Sequence, residues 1–110
     1  MCKPYRKLKD YEVPKVAFEC VESGRWIIHP HAGDRLPERK VSNRDLREVL
    51  QRGTLSESRW KPAGKPPKCW WYRMSRRVDE RAVSVVVYFL EEGGCPFMVV
   101  YTVTVGSRDE

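Results

Sequence analysis

Two hydrophobic periods divide the chain. After Pro14, which suits a first helical turn, Val16, Ala17, Cys20 and Val21 recur at helical spacing, and Gly24 offers a stop. The stretch RWIIH that follows has the β-branched content of a brief strand. Pro30 opens a second helix over Pro30–Arg39, in which Pro37 removes a hydrogen bond and predicts an end, kink or restart near Leu36. The clearest helix runs from Ser42 to Arg52: Ser42 and Asp45 form a capping-box-like pair, Leu46, Val49 and Leu50 make one apolar stripe, and Gly53 terminates it. The period then shortens. TLSESRW reads as a strand, KPAGKPPK as a loop, CWWYRMS as a second strand and Val78–Arg81 as a turn; AVSVVVYFL and CPFMVVYTVTV are strong strands joined by the hairpin turn EEGG. Helices in front and strands behind predict an α+β fold, with two to three N-terminal helices on one face of a mostly antiparallel sheet.

The length of 110 residues suits one domain, placed at residues 14–106 between a basic lead-in at 1–13 and a short tail at 107–110. A hydrophobic fraction of 41% builds one core without help from metal or disulfides. Lys and Arg number 21 against 15 acids, a net charge of +6, which favours a polyanionic partner and RNA above the rest. Cys2, Cys20, Cys69 and Cys95 contain no Cys-x-x-Cys pair, so they read as reduced thiols of a cytoplasmic protein rather than zinc ligands. The apolar runs Ala82–Leu90 and Cys95–Val105 are too short to span a bilayer as helices, so no membrane role is expected.

Two features carry candidate chemistry. No acid stands between Glu57 and Asp79, where Arg59, Lys61, Lys65, Lys68, Arg73, Arg76 and Arg77 interleave with Trp60, Trp70, Trp71 and Tyr72. Cations fix phosphates and flat rings stack on unpaired bases, the mixture that single-stranded RNA needs. The alternative is that the tryptophans alternate into the core while the cations solvate the outer face; adjacent strand residues face opposite ways, so Trp70 and Trp71 cannot both be outside. The second feature is His31, Arg35 and Arg39, spaced by four. Imidazole moves a proton near neutral pH and guanidinium holds a scissile phosphate. The plainer reading has His31 capping a helix and the arginines pairing with Asp34, Glu38 or the next helix. On the last strand, Tyr101 and Val103 are expected on one face, and Thr102 and Thr104 on the other. His29 and His31 flank Pro30 with no third ligand at useful spacing, so no metal or other cofactor is expected.

The run HAGDRLPERKVSNRDLREVLQRG from His31 to Gly53, with ESGRWIIH before it and VVYTVTV at the end, resembles a family of unknown function, numbered forty-two fifty-eight. The likeness spans Val16 to Val105. It implies a RelE- and barnase-like fold, helices on a four-stranded antiparallel sheet, whose members are often metal-independent, toxin-like endoribonucleases kept in check by an antitoxin. Carried onto this chain, it implies His31, Arg35 and Arg39 as motif residues, with Tyr101 or Thr102 as partners from the last strand. Two other readings stay open: a non-enzymatic module that grips RNA or protein through Trp60, Trp70 or Trp71, and a phage or mobile-element protein that binds a host factor.

Overall fold

The computed structural model describes the backbone of residues 3–61 and 69–106 and the side chains of residues 4–56 and 70–106. The elements run β1 (Lys3–Pro4), α1 (Glu12–Ser23), β2 (Trp26–Ile28), α2 (Pro30–Glu38), α3 (Asn43–Arg52), β3 (Thr54–Lys61), β4 (Cys69–Val78), β5 (Arg81–Glu92) and β6 (Cys95–Gly106). The expected α+β class holds: three helices and one mixed sheet.

The helix signals act where the residues stand. Gly24 closes α1 in the left-handed conformation (φ 76°) and its N–H reaches back to the carbonyls of Cys20 and Val21. The helix begins at Glu12, two residues before the expected Pro14, because Glu12 accepts from the Lys9 N–H in the turn that leads in. α3 carries a complete capping box between Ser42 and Asp45, a cap typically worth ~1 kcal/mol. The end expected near Leu36 comes two residues later, at Glu38. Pro37 sits in the last turn of α2, where it and Gly33, whose carbonyl its ring would crowd, are both exposed, and the helix runs on to Glu38.

The strand order is β2-β6-β5-β4-β3, with β1 paired to β5 beyond the end of β4. β3 to β6 form the expected antiparallel set. β2 adds a parallel edge, pairing Trp26, Ile27 and Ile28 with Met98, Val99 and Val100, so the sheet is wider than four strands and mixed. α2, α3 and three strands separate β2 from β6 in the chain, a connection long enough for the parallel pairing that a short hairpin could not make. Between β4 and β5, Asp79 and Glu80 both take positive φ (51° and 68°), the primed two-residue turn that matches strand twist.

One face of the sheet is covered. Val13, Ala17 and Cys20 of α1, Ala32 and Leu36 of α2, and Leu46, Val49 and Leu50 of α3 share a core with Tyr72, Met74, Val83, Val85, Val87, Met98, Val100 and Val103. Cys20 and Cys95 are free thiols. Burial pushes the Cys20 thiol up to about 11, which keeps it protonated. No helix among the described residues is long and apolar enough to cross a membrane.

Candidate functional site

α2 is pinned to the last strand through its N-cap. His29, the N-cap, holds an extended backbone (φ −62°, ψ 145°), and its Nδ1 accepts the His31 N–H at 3.1 Å. Its own N–H donates to the Val100 carbonyl at 2.8 Å. Just past that point β6 slips phase: Val87 pairs with Val100 and Val86 with Thr102, leaving Tyr101 as the extra residue of a β-bulge. Val100 and Val103 both bury in the main core, while Tyr101 turns to the opposite, helix-free face. The expected pairing of Tyr101 with Val103 on one face is thus overturned, because the bulge breaks simple alternation.

On that open face the rings converge. Tyr101 stacks on His31 (centroids 5.0 Å, 23°) and meets His29 (4.9 Å, 50°) and Trp71 (4.5 Å, 53°). Trp71 in turn stacks on Tyr88 (5.6 Å, 27°). Beneath them Tyr88 and Val99 are 5% and 2% exposed, with Leu90 and Phe97 packed alongside. His31, Trp71 and Tyr101 themselves stay half-exposed, so the cluster has a buried floor and an accessible upper surface.

The two arginines divide. Arg35 pairs with Glu38 at 3.3 Å within α2, as the plainer reading expected; the pair is exposed and contributes little. Arg39 lies past the helix end as its C-cap and donates Nε to the Val103 carbonyl at 2.9 Å. That carbonyl lies beyond Val100, where pairing with β2 stops, so Arg39 takes over the edge of β6. Among the described residues no carboxylate pairs with Arg39. His31 and Arg39 stand ~12 Å apart along the helix direction, so one group bound at both must span that distance. Thr102 is half-exposed opposite Val86.

The basic–aromatic segment splits between the two faces. Trp71 belongs to the ring cluster, and Arg73, between the core residues Tyr72 and Met74, shares its side. Tyr72 does not: it is 2% exposed, and its hydroxyl accepts the Leu8 N–H at 2.9 Å, so no base can stack on it. Trp70 packs against the main core beneath Lys7, whose Nζ lies 4.3 Å from the ring. Arg76 is drawn to the helices by Glu48 (3.0 Å) and the Arg52 carbonyl. Arg77 lines an open depression with Arg44, Asp45 and Glu48 of α3. For Tyr72, Trp70 and Arg76 the expected place beside Trp71 is therefore corrected: strand parity turns all three to the helix-covered face, and Glu48 of α3 holds Arg76 there, whereas Arg77 keeps the parity of Trp71 and Arg73 but stands at the far end of β4, beside α3. Arg59 pairs in register opposite Trp71, Trp60 opposite Trp70 and Lys61 opposite Cys69, but their side chains, like all of Lys68, lie outside the described residues.

Two participants were not assigned to this cluster from the sequence. Tyr88 was legible, since Ser84, Val86 and Tyr88 alternate against the buried Val83, Val85, Val87 and Phe89. His29 was weighed only as a metal ligand, and among the described residues no group of three metal-binding side chains forms. No family model, curated protein or solved structure matches the chain, so the family resemblance rests on its quoted residues alone.

Proposed function

We propose that the chain acts on unpaired RNA as a metal-independent endoribonuclease of the RelE- and barnase-like kind, with the open face of the sheet as its substrate surface. The observation that carries this reading is the stack of His31 on Tyr101 beside Trp71. It brings a proton-transfer group and a base-stacking platform to one accessible face. An RNA base lies on the exposed side of Trp71 and Tyr101. His31 takes the proton of the ribose 2′-hydroxyl as that oxygen attacks the adjacent phosphorus. The bond from phosphorus to the 5′-oxygen breaks, leaving a 2′,3′-cyclic phosphate, and the departing oxygen takes up a proton. Arg39, anchored through Nε, holds a phosphate, and Arg35 contributes charge between it and His31. Tyr101 fixes the imidazole. On this reading a toxin-like action in the cytoplasm, restrained by a protein partner, follows from the family resemblance.

A second reading, binding without cleavage, draws on the engagement of both arginines within the fold, Arg35 with Glu38 and Arg39 with Val103. One experiment separates them. Labelled single-stranded RNA is incubated with the protein, with and without a chelator, and then with His31→Ala. Cleavage that survives the chelator and falls about 100-fold or more in the variant is expected for general base catalysis. Salt-sensitive binding with no cleavage would leave the second reading, and neither would sink both.

A further inference from the structure

Next to the ring cluster on the open face, a row of hydroxyls crosses four strands. The Ser56 hydroxyl donates to the Arg73 carbonyl at 3.1 Å. Ser56 also lies 3.1 Å from the Ser75 hydroxyl, which lies 2.8 Å from that of Ser84. Thr104 stands in register opposite Ser84 on β6.

Counting protons fixes the direction of this row. A serine hydroxyl has one proton and two lone pairs. Ser56 spends its proton on Arg73, so Ser75 must donate to Ser56. The Ser75 proton is then used, and Ser84 must donate to Ser75. The chain runs one way, from Ser84 to the Arg73 carbonyl, and each bond polarises the next. Its free end is the Ser84 oxygen, which can only accept. The Thr104 hydroxyl makes no side-chain hydrogen bond among the described residues and can donate. Opposed residues on antiparallel strands hold their Cβ atoms ~5 Å apart, close enough for both oxygens to reach one ligand oxygen.

We infer that Ser84 and Thr104 form a ribose subsite: a 2′-hydroxyl donates to Ser84 and accepts from Thr104. This deepens the proposed RNA-directed function and rests on it. An acceptor beside a donor suits a group that is both, and the 2′-hydroxyl is the feature that separates RNA from DNA. Ser84 lies four residues from Tyr88 on β5, ~13 Å along the strand, so the ribose belongs to a nucleotide about two positions from the one stacked on the rings. Arg73 lies on β4 between the two places and faces the strand that joins them.

The test uses a short RNA and a DNA of the same base sequence, with deoxyuridine in place of uridine. His31→Ala serves as background so that no RNA is cut during the measurement. Ser84→Ala and Thr104→Val should each weaken RNA binding about fivefold, the effect of one hydrogen bond, and leave DNA binding unchanged. Single 2′-deoxy substitutions along the RNA should locate one position with the same loss, which disappears when combined with Ser84→Ala. Equal loss on RNA and DNA, or additivity at every 2′-position, would overturn the subsite while leaving RNA binding intact. Coupling to a base amino group instead of a sugar would overturn it equally. Failure of the background protein to bind either strand would strike the RNA-directed reading itself and is seen before the second substitution is made.

Discussion

Replacing Tyr72 with phenylalanine deletes one oxygen from a side chain that is 2% exposed. That oxygen accepts the backbone N–H of Leu8, itself 1% exposed, and ties the N-terminal segment to the middle of the sheet. The phenylalanine ring fills the same space and keeps the tilted contact with Phe89 at 5.8 Å, so no cavity opens. The Leu8 N–H is left buried without this acceptor, a penalty of about 1–3 kcal/mol. A central value of ~2 kcal/mol corresponds to a melting point lower by ~8 °C in a chain of this size. Urea unfolding should show the loss as a shifted midpoint at unchanged slope, because the surface exposed on unfolding is the same. RNA affinity of the folded protein should stay at the wild-type value. A loss below ~0.5 kcal/mol would mean that the Leu8–Tyr72 bond adds nothing. A fall in RNA affinity at full folding would return Tyr72 to the ligand surface and undo the division of the segment into two faces.

The neighbouring tryptophans should behave in opposite ways. Trp71→Ala should cost about 1–3 kcal/mol of RNA affinity, whereas Trp70→Ala should lower stability and leave the affinity of the folded fraction alone, as titration and thermal melts would show. Gly53→Ala should destabilise by about 1–3 kcal/mol, because a Cβ there would collide with the Val49 carbonyl oxygen and press on that of Ser75 at 3.0 Å; unchanged urea unfolding would contradict this. The Arg6 guanidinium, helped by the Lys9 N–H, lowers the Glu12 carboxyl from 4.5 to about 2. A depressed acid stabilises the fold fully above its unfolded value and loses that contribution as pH falls toward 2, so an NMR titration of Glu12 with a midpoint near 4.5 would refute the pairing.

Much of the frame was legible because its signals are local. The capping box at Ser42 and the stop at Gly24 depend on neighbours in sequence, and both act as written. The four long strands announced themselves through β-branched runs and turn residues. What failed were statements about partners across the sheet. The parity of CWWYRMSRR was visible, yet nothing local says which parity faces inward; Leu8, arriving from 64 positions away, settles it by donating to Tyr72. Arg76 likewise goes to α3 because Glu48 waits there, a pairing across 28 positions. Of the ten residues expected to contact RNA, the fold places Trp71 and Arg73 together on the open face, and the register sets Arg59 across from Trp71. The spacing by four would set His31, Arg35 and Arg39 along one face only of an unbroken helix; with Pro37 in the last turn the helix ends at Glu38, and Arg39 attaches to the strand instead.

The phase slip in β6 explains both the success and the failure. Met98 and Val100 are buried at even positions, Val103 at an odd one, all in the same core. A regular strand cannot hold both parities inward, so one extra residue has to be absorbed between Val100 and Val103. The sequence MVVYTVTV carries that conflict, but it offers two candidates, Tyr101 and Thr102, and only pairing with Val86 and Val87 identifies Tyr101. The choice matters because β2 stops pairing at Val100 and α2 begins beside it. The bulged ring therefore emerges where His29 and His31 leave the sheet edge, and the core's demand for Val100 and Val103 together is what delivers an aromatic support to the imidazole. A substitution that restored plain alternation would relieve the strand and dismantle the site in one step, which is why the site and the core of this strand must be read as one constraint.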